Sequence, residues 1–385
     1  MLKLVQSIFA PKANPIGVDF GSETLRMAQV RTVDGEPRLI GAASVLVPQG
    51  IRKDTNARLE FFADALRNLC LKGGFSGRQC VIGMPASLMH VQHLRLPKMD
   101  EEALKKALPW EVRGKIPIEP SAALLRHIVA GEVFQDQEEK LEVILMAVKK
   151  DTVNQFIRIA ERAKLNVVAL VPEPKAIVEC FKGALKRRNE GEPTTLFVDI
   201  GFSGTRAIVA HGQQILFARF IPIGGDQFNY AASVALKVPA QEARQRRVLQ
   251  VATSDAEMDG TAVAVMEPEL DAMGAKRAAE RAMIEEACRD PLDRLLTELE
   301  PCRRYHEATF PNRPIDRIVF IGGEAMQRSL CQQIAKRLGI AAQLGDPLIR
   351  TGRETNVKPD SGLDVSKPQP AWTIAMGLTL GQSPV

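Results

Sequence analysis

Two tryptophans and two tyrosines among 385 residues leave little for stacking nucleic-acid bases. The basic runs are also short (Lys186-Arg187-Arg188, Arg246-Arg247 and Arg303-Arg304), and both shortages speak against a nucleic-acid partner. The six cysteines (Cys70, Cys80, Cys180, Cys288, Cys302 and Cys331) never form a CxxC pair, which excludes a zinc site or a disulfide framework and suits a reducing compartment. No window reaches the roughly 18 uninterrupted apolar residues of a spanning helix, and Met1 to Phe9 is too short and broken for a signal peptide. No Walker GxxxxGK(S/T) run and no GxGxxG follows any strand-like segment, and Gly201-Phe202-Ser203-Gly204-Thr205 lacks the glycine spacing of a nucleophile elbow. His90 and His93 stand three apart with no further His or Cys cluster, so they read as surface residues on a strand and not as metal ligands.

What is present is an ordinary globular composition: 45% apolar, 25% charged, 51 basic against 46 acidic residues and a formal charge of +5. That length suits two domains or one large two-lobed one.

Two distant segments resemble each other. Ile16-Gly17-Val18-Asp19-Phe20-Gly21 leads into Leu25 to Val30, and Leu196-Phe197-Val198-Asp199-Ile200-Gly201 leads into Thr205 to Val209. Each is an apolar strand, then Asp-x-Gly, a polar turn and an alternating strand. A third strand follows each copy, Arg38 to Val47 and Gln214 to Ile221, across the hairpin signals Asp34-Gly35 and His211-Gly212. Helical periodicity then takes over at Leu59 to Leu71 and at Gly225 to Leu236. The chain therefore reads as a duplication, an α/β fold of two lobes with mixed sheets.

Residues 1–77 would begin the first lobe, 171–194 would return to it, 195–370 would form the second lobe, and 371–385 would close back on the first. Residues 78–170 do not repeat and read as a small α+β insert. It has an acidic helix start at Asp100-Glu101-Glu102, strands over Ala123 to Ala130 and Glu142 to Val148, and a helix from Asp151 to Ala163. Pro109 should strain or end the insert's first helix, and Pro301 should kink the helix that Pro291 begins. Residues 251–271 carry six acidic and no basic residues and read as a mobile loop. Another loop spans Gly345 to Pro370.

A phosphate tail needs backbone N–H donors, close approach and a divalent cation, and an Asp-x-Gly turn between strands can supply them. Two such turns, 180 residues apart (199 − 19), would face one another from the two lobes and pinch a nucleotide's phosphates in the cleft. The strand Arg317 to Ile321 runs into Gly322-Gly323-Glu324-Ala325, a strand-to-helix turn where a flat ring or ribose could pass close to backbone. Glu173, in Pro172-Glu173-Pro174 after the strand Val167 to Val171, would face the cleft and could orient an attacking water.

This order of Asp-x-Gly, Glu-Pro, Asp-x-Gly and Gly-Gly-x-Ala resembles the actin, heat-shock chaperone and sugar-kinase superfamily, whose two ribonuclease-H-like lobes close on Mg-ATP. The insert lies where FtsA-type proteins carry theirs. Leu104 with Trp110-Glu111 and Lys115-Ile116-Pro117-Ile118, and later Ile223-Gly224-Gly225-Asp226, resemble the signature of the type IV pilus PilM family. The resemblance implies a first phosphate loop of Asp19, Gly21 and Ser22, and a second of Asp199, Gly201, Ser203 and Thr205. It also implies Gly224 and Gly225 lining the cleft, and Arg247, Gly322, Gly323 and Glu324 around the adenosine. Asp19 and Asp199 would hold Mg²⁺, with Glu173 the one catalytic candidate.

The family's Ala-Glu-x-x-Lys run is here Ala243-Arg244-Gln245-Arg246-Arg247. Losing that carboxylate's bond to ribose should weaken nucleotide by about 1–3 kcal/mol. By resemblance the chain is a cytoplasmic ATP-binding scaffold, peripheral at an inner membrane, that captures the short cytoplasmic tail of a PilN-like membrane protein, with self-association also open and hydrolysis slow at most. The alternatives are an FtsA-like polymerising ATPase, disfavoured because the chain closes on Leu380 to Val385 without a basic amphipathic helix, and a nucleotide-degenerate type II secretion module. A small-molecule kinase lacks a substrate-shaped polar constellation.

Overall fold

The computed structural model describes residues 13–135, 137–185, 191–254, 272–352, 357 and 361–382. The first copy of the repeat forms an antiparallel meander of β1 (Ile16–Phe20), β2 (Thr24–Val33) and β3 (Glu36–Leu46). Its hairpin turns through Asp34 and Gly35, both at positive φ, as a two-residue turn matched to strand twist requires. The strands β4 (Gln79–Met84) and β8 (Asn166–Pro172) then join in parallel, giving the order β3-β2-β1-β4-β8. The second copy repeats this with β9 (Thr194–Ile200), β10 (Thr205–His211), β11 (Gln214–Ile221), β12 (Arg317–Ile321) and β13 (Ala342–Leu344), in the order β11-β10-β9-β12-β13. One topology built twice accounts for the sequence repeat.

Amphipathic helices cover both sheets. In α1 (Thr55–Lys72), Phe62, Ala65, Leu66 and Leu69 recur at helical spacing and are buried, and the Asp54 carboxylate caps the free N–H groups of Asn56 and Ala57 at 2.9 and 3.1 Å. Each such leucine or phenylalanine contributes about 1.5–3 kcal/mol. The helices α3 (Lys150–Arg162) and α4 (Glu173–Cys180) also belong to the first lobe. The second lobe carries α5 (Gly225–Leu236), α6 (Ala240–Ser254), α7 (Ala272–Ala287), α8 (Arg289–Thr309) and α9 (Arg328–Leu338). The last helix, α10 (Thr373–Leu380), returns to β1 and α4. There Gly377 lies so close to α4 that a Cβ would come within 1.8 Å of the Ala176 carbonyl oxygen, and the Asn14 amide donates to Thr379 O and Gln382 O at 2.9 and 2.7 Å.

The insert has its own sheet, β5 (His90–Pro97), β6 (Ala123–Gln135) and β7 (Glu138–Lys149) in the order β5-β7-β6, with α2 (Glu101–Glu111) sealing Leu104, Leu108 and Val112 against Leu94, Leu96 and Leu145. It is narrower than residues 78–170. The strands β4 and β8 belong to the first-lobe sheet, and α3 sinks Phe156 and Ile159 into that lobe's core. Buried parallel strands are apolar throughout, so their sequence does not disclose which sheet they enter. Pro109 sits in the last turn of α2 and leaves only two helical residues after it, while α8 continues through Pro301 to Thr309. The expected acidic loop falls largely outside the described residues, although 251–254 extend α6. The 345–370 segment is partly built in: Pro347–Ile349 is a short 3-10 turn, and Leu348 and Leu363 are buried.

His93 is not a surface residue. Its ring stacks on Phe217 of the second lobe with centroids 4.8 Å apart, and it lies 3.2 Å from both Glu142 Oε1 and Ala218 O. Glu142, fully buried in β7, also accepts from Arg95 Nε at 3.0 Å and from the Tyr305 hydroxyl at 2.5 Å. This network pins the insert to β11 and α8.

Candidate functional site

The two Asp-x-Gly turns meet in a buried charged cluster. Asp19 sits one residue before the end of β1 and Asp199 one before the end of β9, and both are almost completely buried. Antiparallel register sets an arginine directly opposite each: Asp19 against Arg26 of β2, and Asp199 against Arg206 of β10. Gly21 and Ser22 form the first turn and are half-buried. In the second, Gly201 N donates to Gly204 O at 3.0 Å, Gly225 N donates to Gly201 O at 2.9 Å, and Ser203 is exposed. Thr205 spends its hydroxyl on Ile223 O at 2.7 Å, which fixes the loop's exit. Gly224 stands just before α5, its N–H held by Gln227 Oε1 at 3.0 Å.

Arg206 joins the two lobes. Its Nη1 donates to Asp199 Oδ2 at 2.9 Å, and its Nε and Nη2 donate to Glu173 Oε2 and Oε1 at 2.5 and 2.9 Å. Glu173, the first residue of α4, also accepts from Ala86 N at 2.6 Å, so both of its carboxylate oxygens are engaged. Burial pushes the Asp19 carboxyl up to about 7, with Arg26 opposing and Glu173 adding to the rise. Burial likewise raises Glu173 against the pull of Arg206. Burial disfavours the charge of Arg206, but Glu173 and Asp199 outweigh it and hold its pKa above the usual value.

Further pairs surround this cluster. Glu23, in the turn after Asp19, binds Arg52 at 2.9 Å and Arg244 of α6 at 2.9 Å, and Lys53 meets Asp226 at 2.8 Å. The Arg52 guanidinium lies 5.3 Å over the Phe202 ring. Arg244, which replaces the expected ribose-binding carboxylate, thus ties the second lobe to the first.

Beside Asp199, Gly322 adopts φ +89°, and its Cβ position lies 2.4 Å from Asp199 Oδ1, a place only glycine can fill. A Cβ at Gly323 would meet nothing within 4 Å. Glu324 is buried, and its Oε2 accepts from Arg247 Nη2 at 2.5 Å. Arg247 is itself fully buried and also binds Asn229 Oδ1, at 2.8 Å through Nη2, and Gln327. Arg247 therefore serves as the internal partner of Glu324.

The residues expected to hold magnesium do not fit that ion as placed. Asp199 gives its Oδ2 to Arg206, burial keeps Asp19 inclined to hold a proton, and among the described residues no three His, Cys, Asp or Glu side chains gather as metal ligands. The sequence reading missed Arg26 and Arg206. The signal was available, because each arginine follows its aspartate by seven residues (26 − 19 and 206 − 199).

Two five-stranded sheets of one topology, meeting at a seam to which each contributes the aspartate of its Asp-x-Gly turn, define a two-lobed actin-like (ribonuclease-H-like) α/β protein. A family model described as "Type IV pilus assembly protein PilM" matches residues 17–268, and the chain belongs to that family. The solved "PilM-PilN type IV pilus biogenesis complex" is similar at TM-score 0.74 and 20% identity, covering 96% of this chain and 99% of that one. The ethanolamine utilization protein EutJ from Carboxydothermus hydrogenoformans is similar at TM-score 0.50 and 14% identity, over 97% of this chain and 90% of that one. A search of curated proteins returned no match. Among the described residues, no helix is long and apolar enough to cross a membrane.

Proposed function

We propose that this protein is an actin-like scaffold of type IV pilus assembly that binds a nucleotide between its lobes and holds the short cytoplasmic tail of a PilN-like membrane protein, which places it at the inner membrane. The family match over residues 17–268, which takes in both Asp-x-Gly turns and the whole insert, carries this reading. ATP is the proposed ligand: its phosphates lie at the turns after Asp19 and Asp199, and its adenosine lies beside Gly225, Gly322 and Gly323. Hydrolysis is slow or absent, because Arg206 grips both carboxylate oxygens of Glu173 and compensates the charge that would orient and deprotonate a water.

The tail docks beside the insert, where α2 leaves Trp110 71% exposed with the Arg113 guanidinium 5.1 Å over its ring. An exposed tryptophan backed by a cation suits an apolar peptide anchor. Because Arg206, Arg244 and Lys53 link the lobes at the nucleotide site, a nucleotide that rearranges these pairs would alter the lobe angle and the tail groove together.

Calorimetric titration of the tail peptide into the full chain, with and without ATP, tests this. The reading expects tail affinity to change with ATP and ATP affinity to change by the same factor with tail. Equal affinities would remove the coupling. Failure of the tail to bind in either condition, with Trp110→Ala indistinguishable from the parent, would remove the scaffold role.

A further inference from the structure

The cross-strand partners of the two phosphate-loop aspartates have unequal fates. Arg206 is locked between Asp199 and Glu173, yet only three of its five N–H groups have acceptors among the described contacts. Arg26 forms no hydrogen bond and no ion pair among the described contacts, although it stands opposite Asp19 and feels the fields of Asp19, Glu23 and Asp199. A partly buried guanidinium beside Asp19 without a partner of its own suits an incoming anion, and the planar fork matches phosphate oxygens.

Magnesium does two things for a phosphate tail: it neutralises charge, and it ties the tail to acidic side chains. Here two of the three acidic side chains of the cluster, Asp199 and Glu173, already hold a cation. The Arg206 guanidinium sits against Asp199 and Glu173, so a divalent ion drawn to those two carboxylates would have to displace a bidentate, buried pair, and among the described residues no three His, Cys, Asp or Glu side chains gather as a metal site.

We propose that Arg26 and Arg206, one from each lobe, form a guanidinium pincer that receives a phosphate tail without a divalent cation. This rests on the nucleotide reading above and specifies its ligand as a metal-free triphosphate chain. The same chemistry is offered by ATP and by inorganic tripolyphosphate, and the adenosine side of the cleft favours ATP.

Calorimetry on the full chain separates the cases, with ATP in excess EDTA, ATP with Mg²⁺, and tripolyphosphate in EDTA. The pincer expects ATP to bind in EDTA within about threefold of its affinity with Mg²⁺, and expects Arg26→Gln to weaken the EDTA affinity by about tenfold or more, as loss of a charge-assisted contact implies. Arg26→Gln is the decisive variant because it breaks no ion pair, and an unchanged melting temperature checks that it folds. Arg206→Gln should weaken EDTA binding similarly. ATP binding that requires Mg²⁺ would overturn the pincer and leave the nucleotide reading standing. Absence of ATP binding in both buffers would overturn both, unless tripolyphosphate binds, which would keep the pincer with an inorganic occupant.

Discussion

Replacing Arg247 by methionine tests whether the interior of the second lobe is held by a charge that cannot be left alone. The side chain is fully buried, and its guanidinium serves Glu324, Asn229 and Gln327 at once while lying 5.7 Å over the Phe228 ring. Methionine keeps most of the volume, so little of the loss comes from a cavity. What remains is a Glu324 carboxylate only 2% exposed with its cation removed. Breaking a buried pair from one side costs about 3–5 kcal/mol. Adding Glu324→Gln removes the stranded charge and should restore at least half of that loss. Urea unfolding followed by the hydrogen exchange of α5 and α6 would measure both variants. A loss below about 1 kcal/mol in Arg247→Met, or no recovery in the double variant, would refute the argument, since each outcome means that Glu324 had found water or a proton instead.

Three further predictions concern the cleft, a backbone turn and the insert. Asp19 keeps its proton up to about pH 7 in the folded chain but only to about 3.8 when unfolded, so the folded form holds the extra proton between those values and stability should fall as pH rises through them. Asp19→Asn, which cannot ionise, should match the parent at pH 3.5 and exceed it by up to about 3–4 kcal/mol at pH 8; a pH-independent difference in denaturant midpoints would contradict this. Gly322→Ala forces a Cβ against Asp199 at φ +89° and should cost about 1–3 kcal/mol of backbone strain beyond the steric clash, read as a lowered melting temperature. Tyr305→Phe leaves Glu142 short of one donor and should destabilise by about 1–3 kcal/mol, with faster amide exchange across β5 and β7 as the specific sign that the insert has loosened from α8.

The duplication was legible because Asp-x-Gly between two apolar strands is a local pattern, and local patterns survive in sequence. The matched places of Asp19 and Asp199 near the ends of β1 and β9 followed from it, and Gly322 came from the separate glycine pair after Arg317 to Ile321. The arginines opposite those aspartates were not seen, because a cross-strand neighbour is defined by register, and register emerges only once the turn length fixes which residues face each other. Glu173 was placed correctly after β8, but its engagement by Arg206 joins the two lobes and has no sequence spacing to betray it. His93 illustrates the same limit: a histidine on an alternating strand looks exposed until Phe217, from a distant lobe, lies on its ring. Arg247 read as one charge in a basic run and, by resemblance, as a neighbour of the adenosine, whereas the helix geometry of α6 turns it inward to Glu324.

The docking of α10 against β1 and α4 bears on how the chain matures. The lobe that starts first also finishes last: its central strand, Ile16–Phe20, awaits a helix more than 350 residues downstream. During synthesis the second lobe has all its own strands and helices before Thr373 emerges, so it can consolidate while the earlier lobe still exposes the apolar faces of Gly17 and Ala176 that Ala375 and Gly377 will cover. A ribosome stalled after β13 should therefore carry a protease-resistant second lobe tethered to a nickable first one.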